Sequence, residues 1–148
     1  MIFGNCQFAV VMLGLALSAG AQAQSTVAEL LEKGGKQVTK AGILELMPMR
    51  LQAQWPTGLG EEELDFSVDG KISGSGFHYP SKTNSPAEGS WAVADDGKFC
   101  TPKKFTSWGT STNLCWYMFK SGDKFFGAAK TDPGGKVGKI NSIKKLGI

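Results

Sequence analysis

Short runs of alternating apolar and polar residues, each ended by an Asp-Gly or Gly-Asp turn, set the rhythm of this chain. Residues 64–68 (LDFSV) alternate and run into Asp69-Gly70. Residues 91–93 (WAV) meet Asp95-Asp96-Gly97, and residues 98–100 (KFC) follow. Residues 114–119 (LCWYMF) lead through Ser121-Gly122-Asp123 into residues 124–126 (KFF). Turn pairs of this kind between alternating segments are the strongest short-range signal for β-hairpins. Three of them predict an antiparallel meander of about six to eight strands, folded into a small barrel or sandwich. Residues 80–88 (PSKTNSPAE) concentrate turn formers and read as a loop.

Helical periodicity is confined to the start. Thr26 and Glu29 form a capping-box pair, in which the hydroxyl caps one amide and the carboxylate reaches back to another. Val27, Leu30 and Leu31 recur at helical spacing, and Gly34-Gly35 ends the run. A second short helix is expected from Thr39 as N-cap through Ile43, Leu44 and Leu46, stopped by Pro48. Two such helices cannot form a core alone, so they should pack on the meander. The fold class expected is mainly β with a short N-terminal helical part.

Residues 1–23 carry no Lys, Arg, Asp or Glu. Residues 8–17 (FAVVMLGLAL) are apolar, and Ala21-Gln22-Ala23 fits a signal-peptidase site. The apolar run is too short to span a bilayer, which needs about 20 residues. Residues 1–23 therefore read as a cleavable secretory signal and residues 24–148 as one exported domain. That domain divides into a helical segment (24–48), a β meander (49–130) and a basic tail (131–148). The expected location is periplasmic or secreted. Cys6 leaves with the signal, so Cys100 and Cys115 remain, and an even cysteine count in an exported chain reads as a disulfide. Net charge is +3. Lys130, Lys136, Lys139, Lys144 and Lys145 outweigh Asp132 near the C-terminus. This tail is either a solvated end or a weak contact for anionic surfaces.

One ordered set of motifs covers nearly all of the exported chain. Leu-Leu-x-x-Gly-Gly-x-x-Val-Thr occupies residues 30–39. Gly89-Ser90-Trp91-Ala92-Val93 follows, with Asp96-Gly97-Lys98-Phe99-Cys100 behind it. Cys115-Trp116 then precedes Ser121-Gly122-Asp123. The set resembles the bacterial exported proteins grouped as domain of unknown function 995. The resemblance implies export and a compact domain. It brings no established activity, so no catalytic residues carry over. The Glu61-Glu62-Glu63 run and the Gly74-Ser75-Gly76 stretch fall outside it.

Candidate chemistry is thin. His78 is the sole histidine, Ser73 and Ser75 share its segment rather than converging on it, and no Gly-x-Ser-x-Gly elbow is present. His78 reads as a surface residue near a strand end. One histidine and two oxidised cysteines make a poor metal set, and no Gly-rich loop opens a helix to hold phosphates. No cofactor is expected, and nucleic acid is not an expected partner. Glu61, Glu62, Glu63, Glu88, Asp95, Asp96 and Asp123 supply carboxylates for a hydrolase, though most lie in turns or a charge run. Of the four tryptophans, Trp91 and Trp116 fall in strand patterns and read as core. Trp108 lies between the cysteines with Lys103, Lys104 and Phe105, either as a tied recognition loop or as part of a strand. The function expected is non-catalytic binding of a glycan, a small ligand or an envelope protein, at Lys103, Lys104, Phe105 and Trp108. The alternatives are a carboxylate-dependent hydrolase and a purely structural envelope protein.

Overall fold

A computed structural model describes residues 25–147; the expected signal segment lies outside the described residues. Both expected helices are present. Helix α1, Val27–Glu32, is capped by Thr26, whose hydroxyl accepts from the Glu29 amide while the Glu29 carboxylate accepts from the Thr26 amide. Between them, β1 (Lys36–Gln37) adds a short strand. Helix α2, Lys40–Leu46, is capped by the Thr39 hydroxyl.

The meander follows: β2 Met49–Gln54, β3 Gly60–Phe66, β4 Lys71–His78, β5 Thr83–Ser90, β6 Ala92–Val93, β7 Lys98–Phe105, β8 Thr110–Ser121, β9 Lys124–Ala128 and β10 Val137–Lys145. Apart from β6, each strand pairs antiparallel with its chain neighbour, and β10 returns to pair with β2. The result is a closed eight-stranded antiparallel barrel. The short strands β1 and β6 flank it, on β8 and β7. All three Asp-Gly or Gly-Asp turns expected from the sequence connect paired strands.

Two segments differ from expectation. Residues 80–88, expected as a loop, contain most of strand β5. Its Pro86 is tolerated because the backbone N and O of one strand residue face the same side. The Pro86 oxygen faces the β7–β8 turn, accepting from the Thr106 amide at 2.9 Å. The missing N–H therefore costs no bond to β4. Much of the basic tail is β10, which closes the barrel against β2 across register partners from Ile140↔Ala53 to Lys145↔Met49. A bulge between Ile140 and Ser142 breaks its alternation.

Register and burial define the interior. Met49, Leu51, Leu64, Phe66, Ile72, Phe99 and Met118 point inward and are buried. Ile43 of α2, fully buried, joins the same cluster and covers one end of the barrel with Met47. A second cluster lies outside the wall, where Val27 and Leu30 of α1 pack on Phe119, Ala128 and Val137. Strand β4 crosses β3 closely at Gly74, whose φ is +155°; a Cβ there would run into the Glu63 carbonyl oxygen.

Cys100 and Cys115 are register partners in β7 and β8 and form a disulfide. Bonds of this kind persist in oxidising compartments. Among the described residues, no helix is long and apolar enough to cross a membrane. The bond closes a short loop, so its effect should be of the order given by loop entropy. The double variant Cys100→Ala/Cys115→Ala should lose about 2–5 kcal/mol of stability in equilibrium urea denaturation. A loss below about 0.5 kcal/mol would show that the β7–β8 hairpin is held by its ladder alone.

Candidate functional site

The expected binding residues lie on a hairpin rather than a loop. Residues 101–105 belong to β7, residues 110–114 to β8, and residues 106–109 form the turn between them. Alternation then separates the four side chains. Lys103 and Phe105 point into the barrel and are buried, while Lys104 points out and is exposed. Trp108, in the turn, is half-buried.

Two of the four, Phe105 and Trp108, meet at the barrel end opposite α2, where Trp55 joins them. Phe105 and Trp108 lie 5.1 Å apart between ring centroids, and Trp55 lies 5.8 Å from each. The His78 ring stacks on Trp55 at 6.1 Å, so this histidine is half-buried in an aromatic plug rather than a free surface residue. The plug fits because Gly60 and Gly76 face it. A Cβ at Gly76 would lie 2.6 Å from Phe105 and 3.2 Å from Trp55. Both indole N–H groups are engaged, Trp108 to the Thr83 hydroxyl at 3.1 Å and Trp55 to Glu62 at 3.3 Å.

Beneath the plug lies a charge pair. Lys103 Nζ is 3.3 Å from Glu62 Oε1, with side-chain exposures of 3% and 13%. Glu62 is the inward member of the Glu61-Glu62-Glu63 run, since its register partners Ala53 and Gly76 also face inward. Small residues at Ala53, Gly76 and Ser85 give the two long side chains room to meet. The cation suggested as a surface contact is thus spent inside the barrel.

The outward members of the same run build a different feature. Gln52, Glu61, Glu63, Ser75, Asn84 and Asn141 line a polar groove of about 380 Å³ on the outer wall, with Phe77 beside them. Its residues come from β2, β3, β4, β5 and the β10 bulge. Ser75 lies between longer side chains and makes the surface concave. Much of the lining is held in place. Gln52 accepts from the Ser142 hydroxyl at 2.8 Å and donates to Glu63. Arg50 forks onto Asp65 at 2.6 and 2.8 Å and reaches Glu63 at 3.6 Å. The Arg50 hydrogen bond holds the Asp65 carboxyl below its ordinary range. Tyr79 donates to Glu61 at 2.9 Å, which pushes its phenol above its ordinary range. Phe77 and Tyr79 meet edge to face at 5.7 Å. The Ser75 hydroxyl and the Asn84 and Asn141 carboxamides are exposed and, among the described residues, hold no hydrogen bond to another side chain. They are the free donors and acceptors of the groove.

The other candidate carboxylates are dispersed. Asp95 pairs with Lys40 at 2.8 Å, and Asp96 accepts from the Lys98 amide and the Tyr117 hydroxyl. Glu88 lies on the outer wall opposite Ser73, and Asp123 occupies the β8–β9 turn. Among the described residues, no group of His, Cys, Asp and Glu is placed to hold a metal ion. Sequence reasoning missed the groove because its lining is spread over five strands. The clue was the triple glutamate, which in a strand must divide outward, inward, outward. Searches against protein families, curated proteins and solved structures find no match to this chain.

The buried pair carries the sharpest energetic expectation. Removing one partner of a buried ion pair strands the other charge and costs about 3–5 kcal/mol. Lys103→Met and Glu62→Gln should each show a loss of that size in urea denaturation. The double variant should be more stable than Lys103→Met alone, since no charge is then left buried. Single losses below about 1 kcal/mol would mean that the pair is solvated.

Proposed function

We propose that this chain is an exported, non-catalytic binding domain that takes a glycan in the polar groove on its outer wall. The observation that carries this reading is the groove's chemistry. Planar amides and carboxylates, several fixed by their own hydrogen bonds, lie next to an aromatic ring. Sugar hydroxyls both donate and accept, so they match a surface that offers carboxylate acceptors together with amide donors and acceptors. The C–H face of a sugar ring suits an aromatic side chain such as Phe77. Lining groups already held in place lose less freedom on binding, which favours affinity at a shallow site.

The leader-like residues 1–23 and the resemblance to exported proteins of domain of unknown function 995 support a periplasmic or secreted location. An envelope glycan is the partner that such a location offers. The aromatic plug at the barrel end is assigned to closing the barrel, because its indole groups are already bonded and Phe105 is buried.

A second reading rests on one specific observation: Glu61 and Glu63 both line the groove. Two carboxylates on one face can hydrolyse a glycosidic bond if one is protonated and the other ionised. Their existing partners, Tyr79 for Glu61 and Gln52 with Arg50 for Glu63, favour fixed acceptors over a proton shuttle.

Titration of the ¹⁵N-labelled protein with an N-acetylglucosamine tetramer, followed by NMR, separates the readings. Binding should shift the side-chain amide signals of Asn84 and Asn141. Asn84→Ala should weaken binding by about 1–2 kcal/mol, a factor of roughly 5–30, without altering the fold. Shifts confined to Trp55 and Trp108 would move the site to the barrel end. Cleavage of the tetramer, lost in Glu61→Gln, would establish the hydrolase instead. No shift with this probe or with a panel of envelope oligosaccharides would overturn the glycan reading.

A further inference from the structure

Strand β8 is the longest of the barrel, at 12 residues. Its first half has a partner on one side only. Residues 110–117 pair with β7, while β9 joins the other side from Tyr117 onward. Among the described residues, nothing pairs with the second edge of residues 110–116. An antiparallel strand turns alternate N–H and C=O groups to each side, so this edge presents a row of open backbone groups.

Exposed edges are normally guarded by charges, proline or bulges. Residues 110–116 read TSTNLCW, with no charge and no proline, and their pairing with β7 runs without a register shift. Leu114 is 48% exposed on this stretch. The disulfide from Cys115 to Cys100 ties the strand to β7 near the C-terminal end of the open edge. A pre-ordered strand loses less freedom when it gains a partner.

We propose that this edge is where two copies of the chain pair, antiparallel about a two-fold axis at Asn113. In that register Thr112 lies opposite the partner's Leu114, and Ser111 lies opposite the partner's Cys115. Such a contact is self-complementary, as an isologous interface must be. A two-fold contact sets each charge on the shared edge close to its own copy, and like charges directly opposite one another destabilise a strand pair. This uncharged stretch brings no like charges together, which is why a second copy is the occupant it suits. The contact is short, so the dimer forms at high protein concentration. The proposal does not depend on what the groove binds.

Sedimentation velocity of the secreted protein, from about 10 μM to about 1 mM, tests it. The weight-average mass should rise from monomer toward dimer over that range. Asn113→Lys and Asn113→Asp each set like charges face to face at the axis. Each should weaken association at least about tenfold, with an unchanged circular dichroism spectrum and thermal midpoint. Mixing the two variants sets opposite charges across the axis and should restore association. A monomer across the whole range would overturn the proposal. So would a dimer indifferent to both variants, which would place the contact on another face, or a mixture no stronger than either variant alone.

Discussion

The pairing of β2 with β10 is the constraint on which the rest of this molecule depends. Every other barrel pairing joins chain neighbours, and only this one brings the two ends of the meander together. Around the contact, the Leu146 amide donates to the Pro48 oxygen at 2.7 Å and the Ser142 hydroxyl to Gln52 at 2.8 Å. Closing a loop of that length costs conformational entropy that local turns cannot repay. The return comes from burying Leu51, Leu64, Met118 and Ile140 in one interior. The lysines of β10 fit this placement, because Lys139 and Lys144 alternate with the inward Ile140 and Ile143 and can stay in water.

Closure also makes both polar features. The groove straddles the joint, with Gln52 on β2 and Asn141 at the β10 bulge, so an open sheet would lose one wall of it. The interior pair depends on closure in another way. Glu62 and Lys103 stand on β3 and β7, which are not adjacent strands. They meet at 3.3 Å because the wall curves and because Gly76, Ser85 and Ala53 leave the space between them open. Removal from water strengthens the attraction and raises the cost of breaking it.

The parts legible in the sequence were those written in local chemistry. The Thr26–Glu29 box, the Thr39 cap and the Asp-Gly turns each depend on residues a few positions apart, and each lies where it was expected. The cysteine pairing followed from count and compartment. Strand β5 was not legible because its inward residues are Ser85, Ala87 and Gly89. These are too small to register as a hydrophobic alternation, yet small is what this wall requires opposite Trp55 and Phe105. Strand β10 was obscured by the bulge that shifts its period. Lys103 was misread because lysine is seldom buried without a partner, and its partner lies about forty residues earlier in the chain. The groove was invisible for the same reason as the pair: strand register assembles it, and no run of sequence contains it.

Residue-resolved hydrogen exchange tests the closed barrel most directly. The ladder amides joining β2 to β10 are expected to exchange as slowly as those joining β3 to β4, through one cooperative opening. Exchange between β2 and β10 faster by orders of magnitude, with β3 and β4 still protected, would show an open sheet and contradict both the groove and the interior pair.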